Sequence, residues 1–273
     1  MRTALTDIPV VQPFPWRTLL EYFSLRLIPQ VERIEGDQFF RRVGRREIAI
    51  AYDADRARLI VTADGRTSAA KAAEHVARLF VADHDSSDVT RHLSSDATLK
   101  SRLISVPGMR PLGAWSPFEL CVRTIIGQQV TVAAAGTLMR RLVDRCGEVT
   151  PSSVLAADLA NMGMPGKRVE TIRNLARAVL DERVQFELPW KAVDAALKTL
   201  PGFGPWTRTY LAIRLGREPD AFPETDLGLI RAAGAASPAE LLKQAERWRP
   251  WRAVAATYLW AVPGTIPART DRA

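Results

Sequence analysis

The sequence predicts an α+β protein: a small antiparallel sheet with helices over residues 1–92, followed by an all-helical region over residues 93–273. Three observations carry this. "EIAIAY" and "RARLIVTA", separated by the turn Asp53–Arg56, are rich in β-branched residues and partly alternate, as half-buried strands do. Downstream of "DHDSSD" no such run returns. There, proline-marked helix starts and glycine stops recur instead.

Taken in order, "WRTLLEYFSLRLI" (residues 16–28) has apolar residues at helical spacing, and strand-like sequence follows from about Val31 to Ala63. The alanine-rich "SAAKAAEHVARLF" then reads as a helix from Ser68. Ser116-Pro117-Phe118-Glu119 and Ser237-Pro238-Ala239-Glu240 both have capping-box spacing with proline at the first helical position. Thr150-Pro151 is a weaker start of the same kind. Helix stops are expected at Gly147, from Gly163 to Gly166, at Gly202 and Gly204, and at Gly216.

The bulk numbers exclude several classes. With 273 residues, 47% hydrophobic and 25% charged, the chain is globular and long enough for more than one domain. Lys and Arg outnumber Asp and Glu by 38 to 30, and a formal charge of +8 favours polyanionic partners. Cys121 and Cys146 are the only cysteines, which excludes a disulfide framework, a zinc finger and a four-cysteine iron–sulfur cluster. His75, His84 and His92 are expected to be surface or structural. Prolines interrupt the N-terminal "MRTALTDIPVVQPFPW", no signal-peptide core is present and no run is long enough for a membrane span, so a soluble cytoplasmic chain is expected.

The segment with most chemical content is "LPGFGPWTRTYLAIRLGREPDAFPETDLGL" (residues 200–229). "WKAVDAALKTL" and "GPWTRTYLAIRLG" are helices joined by Leu200-Pro201-Gly202-Phe203-Gly204. Glycines one residue apart permit positive φ and close approach to another molecule. The second helix opens at Gly204-Pro205 with unpaired N–H groups at its positive end, well arranged for a phosphate oxygen. In "DAFPETDLGLIRA" a further helix starts near Asp226, its entry fixed by Phe222-Pro223. From these residues alone the turn is either a plain αα-hairpin or a phosphate grip. Asp226 is either an ordinary N-cap or a carboxylate held facing whatever the hairpin binds.

"LPGFGPWTRTYLAIR" and "DAFPETDLGL" together resemble the signature of the helix-hairpin-helix DNA glycosylases, in the DNA-3-methyladenine glycosylase II branch. "SPFELCVRTIIGQQVT", "LANMGMPGKRVETIRNLARAVLD" and "AERWRPWRAVAATYLW" are similar to further helices of that family, in order, and the N-terminal α+β unit matches too. The resemblance implies excision of alkylated bases, of 3-methyladenine or 7-methylguanine type, from duplex DNA in base excision repair. The nucleotide is flipped out and its N-glycosidic bond hydrolysed. Asp226 is then the catalytic carboxylate, and Tyr22, Trp206, Tyr210, Leu227 and Trp260 line the base pocket. Gly202, Phe203, Gly204, Thr207, Gln128 and Gln129 are the DNA-binding set, with Gln129 where the family inserts a leucine wedge. Leu227 stands where the best-known members have tyrosine, so one wall is expected to be aliphatic. Trp206 stands where the bifunctional glycosylase/lyases carry their lysine, so no lyase activity is expected.

The same resemblance implies a subdomain at residues 117–218 containing the hairpin at 200–206, and a second formed by 93–116 with 219–273. It implies no cofactor, beyond a monovalent cation that hairpin carbonyls could hold, and a monomer acting on double-stranded DNA. Two alternatives are a superfamily glycosylase with another lesion, hypoxanthine or an oxidised base, and a DNA-binding module without catalysis. The second leaves Asp226 and the aromatic set to coincidence.

Overall fold

The computed structural model describes residues 3–216 and 218–261. The chain opens with β1 (Thr3–Pro9) and α1 (Trp16–Ser24), continues as the meander β2 (Glu32–Glu35), β3 (Gln38–Val43), β4 (Arg46–Asp53) and β5 (Arg58–Asp64), and then enters α2 (Arg66–Phe80). All pairings are antiparallel, in the order β1-β5-β4-β3-β2. β1 was not legible in the sequence: its inner and outer residues barely differ in polarity, and it is recruited as an edge by β5, from Thr3 opposite Asp64 to Pro9 opposite Arg58. On the other strands alternate residues Phe39, Ile48, Ile50, Leu59 and Val61 are buried. This period of two fixes which face the helices cover. α1 ends at Ser24, earlier than its apolar run suggests, and the chain then turns so that Ile28 and Val31 join a different core from Leu19 and Phe23.

The remaining described elements are α3 (Ser87–Leu93), α4 (Ala97–Ser105), α5 (Pro117–Gly127), α6 (Val132–Cys146), α7 (Pro151–Ala156), α8 (Gly166–Leu180), α9 (Trp190–Lys198), α10 (Pro205–Arg214), α11 (Leu227–Ala233), α12 (Pro238–Ala245), a 3-10 turn at Glu246–Trp248, and α13 (Arg252–Ala261). Gly166, expected as a stop, is the first residue of α8. One hydrophobic core unites the sheet, α1 and α2 with α3, α4 and α11–α13 around Phe39, Phe80, Trp248 and Tyr258. The other lies among α5–α10. The boundary expected at residue 92 is therefore no break in packing, because the sheet shares its core with the C-terminal helices. Residues 262–273 of the expected second subdomain lie outside the described residues.

Glu119 corrects the expected capping box. Ser116 makes no side-chain cap to α5. Glu119 instead takes a bidentate ion pair, at 2.7 Å, from Arg41 of β3, which also binds Glu32. All three side chains are almost fully buried, and the triad fixes the sheet against α5. Thr150, the weaker signal, forms the complete capping box, exchanging hydrogen bonds with Ser153. Ser237 accepts from Glu240 N at 3.2 Å, while the Glu240 carboxylate reaches one residue further back, to Ala236 N at 2.7 Å.

Candidate active site

The hairpin between α9 and α10 uses its two glycines differently. Gly202 has φ +90°, and a Cβ there would come within 2.7 Å of Thr171 Cγ2, so both conformation and space require glycine. Gly204 has φ −65°, not the left-handed value expected, and a Cβ there would meet nothing within 4 Å. Pro201, Gly202, Gly204 and Pro205 are exposed, and no side chain caps α10. The helix start is thus open at Gly204, with no side chain of that residue to fill it.

Other members of the expected DNA-binding set are structural. Phe203 and Thr207 are each only 4% exposed. Gln128 donates through Nε2 to Gly202 O (3.0 Å) and Thr207 Oγ1 (2.9 Å), while its own carbonyl accepts from Arg168 Nη2 at 2.7 Å. The side chains of Phe203, Thr207 and Gln128 are therefore spent on bracing the hairpin. Of the residues expected to bind DNA here, the hairpin presents the backbone of Gly202 and Gly204 outward. Gln129, the neighbouring residue, is exposed and held at φ +56°. Such a conformation is costly for glutamine unless the surroundings impose it.

Asp226 is the N-cap of α11. Its Oδ1 accepts from Leu229 N (2.8 Å) and from Trp260 Nε1 (3.1 Å), and its Oδ2 accepts from Trp206 Nε1 (2.9 Å). A carboxylate offers about four lone-pair positions; three are filled, and the open one is on Oδ2. Gly228 keeps the surroundings clear, since a Cβ there would sit 3.0 Å from Oδ1 and 3.7 Å from the Trp260 ring. The two indoles converge from α10 and α13, and Tyr210 links them. It stacks on Trp206 (5.3 Å, 7° between planes) and meets Trp260 edge-on at 5.7 Å.

Trp206, Tyr210, Trp260 and Asp226 line a cavity of about 270 Å³, together with Arg26 and Arg123. This is close to the lower limit of about 300 Å³ for small-molecule pockets, so it suits one flat ring system. Two expected members are elsewhere. Tyr22 is buried behind the cavity, covered by the Arg26 guanidinium 3.6 Å above its ring. Leu227 is 67% exposed and outside the lining, because it begins α11 on the solvent side of the cap.

The arginines were missed in the sequence. Arg214 engages each of its three nitrogens, binding Leu112 O (2.7 Å), Gly113 O (3.0 Å) and the Tyr210 hydroxyl (2.8 Å). Burial raises the Tyr210 hydroxyl pKa, but Arg214 and Arg26 more than offset this and leave it below the usual tyrosine value. The available signal was an arginine inside each of the apolar helical runs "CVRTIIG" and "YLAIRLG".

The AlkA N-terminal domain model matches residues 6–116, and the model of the HhH-GPD superfamily base excision DNA repair proteins matches residues 122–248. DNA-3-methyladenine glycosylase 2 of Escherichia coli is 31% identical, over 93% of this chain and 96% of that protein. The probable bifunctional transcriptional activator/DNA repair enzyme AlkA of Mycobacterium tuberculosis is 29% identical over 94% of this chain, which spans only 57% of that longer protein. The 3-methyladenine DNA-glycosylase structure from Archaeoglobus fulgidus superposes with a TM-score of 0.80 over 93% of this chain and 97% of that one, at 20% identity, and so shares the fold. On sequence similarity over nearly its whole length, the chain belongs to the DNA-3-methyladenine glycosylase 2 family of HhH-GPD base excision DNA repair proteins.

Proposed function

We propose that the chain is a monofunctional DNA glycosylase that flips alkylated bases out of duplex DNA and hydrolyses the N-glycosidic bond. The observation that carries this is the carboxylate of Asp226, gripped by two indole N–H groups and a helix start at the wall of an aromatic cavity. A plain N-cap needs only the Leu229 amide. Two tryptophans from separate helices aim this one.

The chemistry follows from the parts. The exposed hairpin amides hold a phosphate next to the lesion, and Gln129 fills the gap the extruded base leaves. The base enters between aromatic faces, where a cationic alkylated purine gains most. As the C1′–N bond breaks, its electron pair leaves with the base and positive charge develops on the sugar. A carboxylate about 4 Å from that charge, at an effective dielectric near 20, contributes roughly 4 kcal/mol, or about a thousandfold in rate. Water adds to C1′ and releases its proton. Trp206 supplies no amine, so no Schiff base forms and the strand is left intact.

A cation at the hairpin has little to bind. The Gly202 carbonyl accepts from Gln128 and the Phe203 carbonyl accepts from the Arg208 guanidinium at 3.2 Å, so positive charge already occupies that edge. No step is assigned to a metal. A monomer suffices, since every residue named comes from one chain.

The test is to incubate the protein with methylated duplex DNA and identify the free bases. Abasic sites should accumulate and break only after alkali. A covalent protein–DNA adduct trapped by borohydride would overturn the monofunctional reading.

A further inference from the structure

Three arginines, Arg26, Arg123 and Arg214, line the cavity beside three carboxylates, Glu32, Glu119 and Asp226, and the arginines are not alike. Arg214 has all its nitrogens engaged, and nearby Arg41 is paired with two carboxylates. Arg26 donates to Tyr22 O at 2.8 Å, and its guanidinium carbon lies over the Tyr22 ring, 3.6 Å from the centroid. Arg123, on α5, is different. Its one hydrogen bond among the described residues runs from Nη2 to Leu25 O at a long 3.4 Å, and its Nε, like that of Arg41, has no partner there. No carboxylate of the described residues lies within ion-pair distance of it. Gly127, one turn further on, leaves room for this guanidinium: a Cβ there would stand 3.3 Å from Nη1. Burial, the largest influence, lowers the Arg123 pKa, with Arg26 and Arg214 acting the same way and Tyr210 and Glu32 opposing them. A guanidinium at a cavity wall with so few partners keeps donors on Nη1 and Nη2 to offer a ligand acceptor.

We propose that Arg123 is a specificity-determining residue of the base pocket: its guanidinium donates to a carbonyl or ring-nitrogen edge of the extruded base and favours neutral, carbonyl-bearing bases over cationic ones. This rests on the glycosylase reading and names the part of its substrate range that Asp226 does not govern. A cationic base departs as a neutral molecule, and the guanidinium only repels it beforehand. A neutral lactam such as hypoxanthine departs carrying the glycosidic electron pair as an anion, delocalised from the ring nitrogen onto the carbonyl oxygen, until solvent protonates it. Arg123 stabilises that anion where it forms, while Asp226 stabilises the sugar, to which water adds with loss of its proton.

The test compares wild type, Arg123→Met and Arg123→Lys under single turnover. Substrates are a duplex with one hypoxanthine and a methylated duplex releasing 7-methylguanine and 3-methyladenine. Arg123→Met should slow hypoxanthine release by roughly 10- to 100-fold, the loss expected when a hydrogen bond from a charged donor is removed. Release of 7-methylguanine, cationic but carbonyl-bearing, should fall less, and 3-methyladenine should be unchanged or faster. Arg123→Lys should recover part of the hypoxanthine rate. Equal losses on all three bases would overturn the proposal and make Arg123 a support of the fold or of DNA binding. A second readout needs no chemistry: free hypoxanthine should quench tryptophan fluorescence at lower concentration in wild type than in Arg123→Met. If wild type released no base from any duplex, the glycosylase reading would fall, and the quenching titration would still decide for Arg123. Identical titrations in the two proteins would overturn its role.

Discussion

The N-terminus of α10 and the N-terminus of α11 stand about twenty residues apart and are treated in opposite ways. α10 begins at Gly204 with no side-chain cap, in the open, with space around the glycine. α11 begins at Asp226, whose carboxylate caps the helix and is clamped by Trp206 and Trp260. Both ends carry unpaired amides and a positive dipole. The first leaves them for an anion from outside, and the second uses them to hold an anion of its own beside a cavity. The same helix-end physics yields a grip in one place and a reactive group in the other, and the difference is whether a side chain fills the end.

The largest effect should come from emptying the second end of charge. Asp226→Asn should slow base release about a thousandfold with DNA affinity unchanged or slightly improved. Its oxygen can still accept from Leu229, since asparagine caps about as well as aspartate. Its amide cannot accept from Trp206. Single-turnover release and fluorescence anisotropy measure the two quantities. A variant within tenfold of wild type would mean another group stabilises the sugar.

The indole clamp is next in size. Trp206→Phe and Trp260→Phe keep an aromatic ring and each delete one donor to Asp226. A hydrogen bond to a charged group is worth about 1.5–3 kcal/mol, so each should slow release of every base roughly tenfold or more through looser aim. Trp260→Ala also removes a ring face, and the additional loss should fall on cationic bases. Equal rates for Trp260→Phe and wild type would reduce the clamp to packing.

The open end should respond in binding and not in chemistry. Gly204→Val should fold normally, since its Cβ meets nothing, yet weaken binding to all DNA sequences alike by blocking phosphate approach. Gly202→Ala should do the reverse and lower thermal stability first, because φ +90° and Thr171 both reject a Cβ. Anisotropy titrations and thermal melts of the pair distinguish the two glycines. If Gly204→Val binds normally and turns over slowly, the open helix end is not the phosphate grip.

Local signals were the legible ones. The meander, the alanine-rich helix, the hairpin and Asp226 as an N-cap each depend on residues within a few positions of one another. The clamp was half legible: Trp206 lies on the hairpin helix, but Trp260 reaches Asp226 across thirty-four residues of chain. Arg123 reads in sequence as a polar position on an apolar helix, and only the fold, which brings Arg26 and Tyr210 to the same cavity wall, makes it part of a site. Resemblance placed Leu227 and Tyr22 in the pocket wall, yet a side chain at the first residue of α11 faces outward and Tyr22 is screened by Arg26. Glu119 matched the capping-box spacing and was claimed by Arg41 from seventy-eight residues away, a competition that no local pattern reveals.

That competition permits the smallest test, again between two helix starts. Thr150 and Ser116 have the same motif chemistry, a hydroxyl followed by proline. Thr150 accepts from Ser153 N at 3.1 Å and completes its box through the Ser153 hydroxyl. Ser116 makes no cap, and the carboxylate three residues on is turned to Arg41. Thr150→Ala should cost about 1 kcal/mol of unfolding free energy. Ser116→Ala should cost less than about 0.5 kcal/mol, the level of an ordinary surface change, although its sequence signal is the stronger. Denaturant melts of the two variants, with unchanged slope, measure the difference. A Ser116→Ala cost equal to that of Thr150→Ala would show that the serine caps α5 in solution, with Glu119 divided between the helix and the buried arginine. Thr150→Ala should release bases at the wild-type rate, because Thr150 lies outside the cavity that Asp226 lines, whereas Ser116 is part of its wall.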